Sequence, residues 1–463
     1  MPVLIKNGLV VNADSEQQVD VLAEGETITR MEPNIDPATL PADTEVIDAA
    51  GKCVFPGFID PHVHIHLPFM GTNAIDDHDS ATRAALVGGT TTIIEMICPG
   101  PDEEPREAFE TWKGLAEAGA NCDYTFHLSV VRFDELAERQ IRELVASEGV
   151  ASFKIFLAYK GALDIADENL IPLLELAKEL GVIVTAHCEN AEAVNAMQER
   201  LIAAGKTGPE WHEPSRPRSV EASGVNHLRT FAELTGAHVY IVHTSCGAAL
   251  EQARSARERG VNVWVESVAP HLVLDKTWAE RPDFEGAKYV MSPPLRDAVE
   301  HDPLWRGIED RTISTIGTDH APFNFNGQKD MGTEAFTKIP NGIPSIQERI
   351  DLVHTHGVKA GRIDLMTMVD ACSTQAAKIF GMYPRKGVVA VGSDADLVIY
   401  DAEAEGVFSH EHSISRTDYS GFEGMARRGA VESVVLRGQV VVREGGFVGD
   451  AGGGRYVSRP VTH

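Results

Sequence analysis

Between residues 55 and 385, short runs of β-branched and apolar residues alternate with longer stretches whose apolar positions recur every three or four residues. The first pattern suits a strand and the second an amphipathic helix. Eight runs qualify as strands: residues 58–64, 90–96, 122–128, 153–157, 182–187, 239–243, 261–266 and 314–319. Segments such as 169–180 (NLIPLLELAKEL) and 221–235 carry helical spacing and fall between them. Strands separated by helices form βα units with parallel strands. Eight such units predict a (β/α)8 barrel, a fold of ~250 residues that tolerates insertions. Residues 201–218, with Gly205, Pro209, Pro214 and Pro217, read as one inserted loop.

The two ends of the chain follow a different pattern. Residues 1–54 and 386–463 hold strand-like runs such as ADLVIY (395–400) and VESVVLRGQVV (431–441), separated by turn residues. The simplest arrangement is one small β-sandwich domain built from both termini, flanking a TIM-like barrel domain over 55–385. The fold class is therefore α/β. Asn7-Gly8 reads as a hairpin turn. The glycines of residues 445–454 match neither GxGxxG nor GxxxxGK[ST], and they read as a mobile tail.

Charge and composition then remove several classes of function. The formal net charge is -28, from 41 basic and 69 acidic residues. A field of that sign repels phosphate backbones and anionic lipid, so neither nucleic acid nor membrane is expected as a partner. No apolar run reaches the roughly 20 residues that span a bilayer. Lys6-Asn7-Gly8 interrupts the first apolar run, which is unlike a secretory signal. The six cysteines are scattered without CxxC spacing, which predicts free thiols and a cytoplasmic location.

The candidate chemistry lies at the strand ends. FPGFIDPHVHIHLPF, residues 55–69, places histidines at 62, 64 and 66, all on one face of an extended chain. His62 and His64 close the first strand, His187 the fifth, His243 the sixth and Asp319 the eighth. Barrel active sites lie at the C-terminal ends of the strands, so these five residues should converge. Four imidazoles and a carboxylate suit Zn²⁺ or a similar divalent ion. A single histidine at a strand end is more often a satisfied polar residue than a ligand, but five ligand-type residues on four strand ends form a stronger signal. Lys154, in SFKIFLAYKG, should face the barrel interior together with Phe156. An unpaired ammonium there is costly. Either it pairs with Glu95 or Glu266, or it loses its proton and takes up CO₂ as a carbamate.

The stretches FPGFIDPHVH, GGTTTIIE, SFKIFLAYKG, VTAHCEN, VYIVHTSC, MSPPLRD, GTDHAPFN and FTKIPNGIPSIQER occur in this order. Together they resemble the dihydropyrimidinase and D-hydantoinase group of the cyclic amidohydrolases, in the amidohydrolase superfamily. PRKGVVAVGSDADLVIYD resembles that family's return from barrel to sandwich. The resemblance implies an enzyme that hydrolyses cyclic diamides, either 5,6-dihydropyrimidines such as dihydrouracil or 5-monosubstituted hydantoins, to N-carbamoyl amino acids. It also implies a homotetramer or homodimer and two divalent ions, zinc by preference. His62, His64 and Asp319 would hold one ion and His187 and His243 the other, with Lys154 bridging both as N6-carboxylysine. Asp319 would carry the proton, and Tyr159 would polarise the scissile carbonyl. Ser292 and Asn341 match positions whose backbone groups hold the ring amide, and Phe69, Phe156 and Leu163 match a hydrophobic gate.

His66 stands where the family often has an acid and where dihydroorotases carry an arginine. It is expected to leave the metal plane, and dihydroorotate is disfavoured as substrate. His320 is expected to be structural. The nearest alternative is an allantoinase-like enzyme. The alternative from another class is a non-catalytic dihydropyrimidinase-like scaffold, which would need none of these ligands.

Overall fold

The structure is a computed structural model that describes residues 1–100 and 102–463. Eight parallel strands form its centre: β1 (Phe58–Val63), β2 (Thr90–Ile97), β3 (Asp123–Ser129), β4 (Ser152–Phe156), β5 (Ile183–His187), β6 (Val239–Ile241), β7 (Val263–Val268) and β8 (Thr315–Gly317). They pair in chain order, β1 with β2 and onward to β7 with β8. All but one residue of these strands are buried, Trp264 being half-buried. That explains why the runs read as nearly continuous apolar stretches. Helices at Asp167–Leu180 and Arg218–Thr235 cover the barrel where helical spacing predicts them. Each stops at a glycine of left-handed conformation, Gly181 (φ 69°) and Gly236 (φ 72°).

The barrel closes beyond β8. Asp319 N donates to His62 O (3.0 Å), and His64 N donates to His320 O (2.8 Å). Beside this seam Thr318 Oγ1 donates to Asp60 Oδ2 at 2.6 Å. Arg349, fully buried, clamps the same place: Nη1 donates to Ile59 O (2.8 Å) and Ile316 O (2.9 Å), and Nη2 to Thr90 Oγ1 (2.9 Å). One guanidinium thus ties β1, β2 and β8 together where no strand–helix–strand unit holds the ring.

Both chain ends build the remaining sheets. A four-stranded sheet runs in the order Thr27–Glu32, Asp20–Glu24, Val3–Lys6, Glu45–Asp48. A seven-stranded sheet joins Leu9–Val11, Glu16–Gln18 and Cys53–Pro56 to the C-terminal strands Leu397–Val407, Ala426–Leu436, Gln439–Arg443 and Gly446–Phe447. Their facing sides share a core of Val3, Ile5, Val21, Val54, Leu397 and Val435. Lys386 fastens these sheets to the barrel, with Nζ 2.7 Å from Asp123 and 2.6 Å from Asp396.

Three sequence readings need correction. Asn7-Gly8 is not a hairpin turn, because Val3–Lys6 and Leu9–Val11 belong to different sheets. Asn7 takes a left-handed φ of 61°, and a Cβ on Gly8 would meet Val54 Cγ2 at 2.5 Å. The pair therefore carries the chain from one sheet to the other under tight packing. Residues 445–454 are docked rather than a mobile tail: Gly454 N donates to Ala120 O (2.8 Å), and Gly452 N to Asn121 Oδ1 (3.0 Å). Residues 201–218 are not one loop: 201–203 end the helix Ala191–Ala203, Arg218 starts the next, and between them a short 3-10 turn (Pro209–Trp211) and a helical turn (His212–Ser215) bring His212 and Arg216 to the barrel mouth.

Replacing Arg349 with Met should leave three buried acceptors without their donor. The cost is expected to be about 3 kcal/mol or more, seen as a lower midpoint in denaturant unfolding followed by circular dichroism. An unchanged midpoint would show that the clamp contributes nothing to closure.

Candidate active site

Alternation along β1 sends His62 and His64 to the same side, and the seam brings Asp319 beside them. Asp319 Oδ1 lies 3.2 Å from Nε2 of both histidines, and the two Nε2 atoms are 3.3 Å apart. All three residues are buried. His62 Nδ1 donates to Glu266 Oε1 at 2.7 Å, which leaves its Nε2 lone pair pointing into the group. Converging lone pairs and a carboxylate repel unless positive charge sits between them. The His64 imidazole responds to that demand: burial opposes its charge, but the hydrogen bond to Asp319 outweighs it and pushes the pKa up to about 9. The donor set fits a divalent cation.

A second compact acidic group, Asp123, Asp394 and Asp396, does not fit one. The Lys386 ammonium already fills it, 3.2 Å or less from all three carboxylates.

His187 closes β5, and its ring centroid lies 4.5 Å from that of His243. His243 falls just past β6 and Asp319 just past β8, with left-handed φ values of 38° and 52°. Side chains at such angles do not continue a strand, which is why both strands end earlier than their apolar runs suggest. Tyr159 is left-handed too, at φ 63°. Three non-glycine residues of this kind at one mouth mark a region whose backbone conformation the surroundings enforce.

Lys154 and Phe156 both face the interior, as alternation requires. Lys154 is fully buried, and among the described residues its Nζ has no hydrogen-bond partner. It lies 4.9 Å from the centroid of the Phe156 ring. Neither carboxylate considered as its partner pairs with it. Glu95 has the opposite parity on β2 and accepts from His78 Nε2 at 2.7 Å, on the helix side. Glu266 accepts instead from His62, from Tyr240 OH (2.8 Å) and from His243 N (2.9 Å). Burial pushes the Lys154 ammonium down to about 8.

His64, Lys154, His187, His243 and Asp319 line one inner cavity with Phe69, Phe156, Tyr159, Leu163, Ser292 and Asn341. Asn341 Nδ2 donates to Ser292 Oγ at 2.9 Å, so these two are joined through their side chains. The Tyr159 phenol is pushed up to about 12 by burial and remains a proton donor. A vestibule of about 680 Å³ continues outward, lined by Leu67, Phe69, Met70, Leu163, Val194 and Phe336 among others. His66 is not part of the cavity. It is half-buried and packs on His78, ring centroids 5.2 Å apart. His320 is fully buried, with Nε2 3.0 Å from Asp76 Oδ2 and Nδ1 accepting from Ser345 N at 3.1 Å.

Sequence reasoning missed Glu189, Arg216 and His212, and saw Glu266 only as a partner for Lys154. Glu189 carried one visible signal, its place two residues after His187. His212 and Arg216 came from a segment dismissed for its prolines.

A family model described as Amidohydrolase family matches residues 53–441. The D-hydantoinase of Geobacillus stearothermophilus is 42% identical over 459 residues, covering 99% of this chain and 97% of that protein. The dihydropyrimidinase of Dictyostelium discoideum is 37% identical, covering 99% and 91%. Among solved structures, D-hydantoinase (dihydropyrimidinase) from Thermus sp. is 54% identical and superposes with a TM-score of 0.96 over 99% of both chains.

Two buried histidines near the site, His212 on the vestibule wall and His271, predict an acid limit. His212 Nε2 donates to Met291 O (2.8 Å) and His271 Nε2 to Pro293 O (3.0 Å), while both Nδ1 atoms are buried without a partner. Burial, aided by nearby arginines, holds them down at about 3 and about 4. The unfolded chain binds these protons near pH 6.5 and the folded one does not. Their contribution to stability is therefore complete above about pH 6.5 and is lost as pH falls toward about 4. Unfolding free energies measured across that window should decline, and less steeply in His271→Gln. Equal slopes in both proteins would contradict this assignment.

Proposed function

This chain belongs to the amidohydrolase family and is a cyclic-amide hydrolase, and from that premise we propose a metal-dependent ring opening of dihydropyrimidines and 5-monosubstituted hydantoins. The observation that carries the reading is the single cavity shared by His64, Lys154, His187, His243 and Asp319, with His62 bonded to the same group. His62, His64 and Asp319 would hold one divalent ion and His187 and His243 a second, zinc being the best match to the donors. Lys154 would bridge them as a carbamate. Its depressed basicity keeps free amine available, and attack of that amine on CO₂ with loss of a proton turns an unpaired cation into an anion. Bound there, the ions supply Lewis acidity and a water of lowered pKa.

The chain's own residues account for the rest. Asp319 sits where a carboxylate can take a proton from the attacking water and return it to the departing ring nitrogen. The Tyr159 hydroxyl, protonated at neutral pH, donates to the carbonyl oxygen as charge develops on it. Ser292 and Asn341 hold the ring amide. Phe69, Phe156 and Leu163 receive the ring substituent, and the apolar vestibule extends beyond them. Both cations on the vestibule wall, Lys160 and Arg216, are already paired with Glu192 and Glu189. A neutral ring therefore suits the site better than dihydroorotate. The relatives' names, D-hydantoinase and dihydropyrimidinase, fit this substrate class.

Zinc-loaded protein should hydrolyse dihydrouracil or a 5-substituted hydantoin faster than dihydroorotate or allantoin, and the opposite ranking would refute the substrate class. Asp319→Asn should lose turnover by about 10²-fold or more beyond what its metal loss explains. Activity that tracks metal content alone would reduce Asp319 to a ligand.

A further inference from the structure

Residues 201–218 deliver Arg216 to the wall of the vestibule, where its side chain is almost completely buried. Its Nη1 donates to Glu189 Oε2 at 2.5 Å, and the same oxygen accepts from His187 Nε2 at 2.7 Å. Glu189 Oε1 and Arg216 Nε are buried without partners. So enclosed and incompletely bonded a pair is a poor device for stability, because desolvation offsets its attraction. It is a good device for orientation. An anion on Nε2 fixes the His187 ring and leaves its Nδ1 lone pair free. The guanidinium also lies 5.4 Å from the Tyr159 ring centroid, and that ring in turn lies 5.2 Å from the ring of His187.

We propose that Arg216 is a positioning residue for the ring-opening reaction: through Glu189 it fixes the ring of His187, and through its planar face it fixes the phenol of Tyr159. The inference rests on the reading that His187 holds an ion and Tyr159 meets the carbonyl. One buried cation then sets the geometry of two groups that approach the substrate from different strand ends. Arg216 does not itself touch the reacting atoms.

Holding the segment in place is the work of a different residue. Arg296 donates Nη1 to the backbone carbonyl of Arg216, Nε to Ser245 Oγ (2.9 Å) and Nη2 to Glu221 Oε2 (2.8 Å). Arg216 N also donates to Glu213 O at 2.9 Å. These bonds involve no atom of the Arg216 side chain, so they survive its replacement.

The test uses the full chain reconstituted with zinc, reading metal per chain after gel filtration together with kcat and KM on dihydrouracil. Arg216→Met should keep the fold, lose metal at His187 but not at His62 and His64, and lower kcat by about 10- to 100-fold with KM little changed. Arg216→Lys should restore the metal count, since an ammonium still pairs with Glu189, but not kcat, since it offers no planar face to Tyr159. Arg216→Met with full metal and normal kcat would overturn the proposal, and wild-type kcat in Arg216→Lys would overturn its Tyr159 half. Should Arg216→Met not fold, Glu189→Gln serves instead: it preserves shape, removes the anion and should also lower the metal count, and an unchanged count overturns the His187 half. His187→Ala and Tyr159→Phe separate the two levels. If His187→Ala keeps its metal and Tyr159→Phe keeps its turnover, the reading of the site fails, whereas if the first loses metal, the second loses turnover and Arg216→Met loses neither, only the role of Arg216 fails.

Discussion

The barrel closes through backbone bonds from Asp319 N to His62 O and from His64 N to His320 O, and the site exists because of that closure. Seven of the eight contacts in the ring are ordinary strand pairings between consecutive βα units. The eighth must join residues more than 250 positions apart in sequence, with no crossover helix to guide them. Arg349 and the Thr318–Asp60 bond supply the guidance. The backbone atoms that close the ring belong to His62, His64 and Asp319 or their neighbours, so chain closure itself brings these three side chains together. A site built on this seam is as rigid as the barrel itself.

Charge explains the next layer. The inner cavity gathers three histidines, a carboxylate and an unpaired lysine, all buried, with the buried His62 against them. Without a cation the arrangement is unfavourable twice over, since lone pairs face one another and Lys154 has no acceptor. The proposed divalent ion beside the histidines and carbamate on Lys154 would remove both problems together. The groups behind them are arranged to the same end. Glu266 holds His62, Glu189 holds His187, and Arg216 holds Glu189. Polar groups this deep are retained for placement, because buried pairs contribute little net stability.

Much of this was legible in the sequence, and the reason is periodicity. Alternation placed His62 and His64 on one face and Lys154 with Phe156 inside, and the eight apolar runs gave the strand order. What escaped lay where periodicity carries no information. His243 and Asp319 each sit two residues beyond their strands at left-handed angles, where an apolar run does not show that the strand has ended. Asn7-Gly8 carries a hairpin's sequence, but the packing of Gly8 against Val54 commits it to a crossing between sheets. Arg216 and His212 belong to a proline-rich insertion with no repeat of its own, and only the fold shows that it bends back over the barrel mouth. Glu95 and Glu266 were equal candidates beside Lys154 until the register of β2 turned one of them toward the helices.

Under the proposed function the seam and the strand ends would hold two ions, with a carbamate on Lys154 between them. The most direct measurement is a crystal structure of the zinc-loaded protein grown with bicarbonate, with anomalous data collected at the zinc edge. Two anomalous peaks are expected, one touching His62, His64 and Asp319 and the other touching His187 and His243, with density extending past Lys154 Nζ to both. Two fully occupied peaks beside an unmodified lysine amine, or peaks away from these residues, would contradict it.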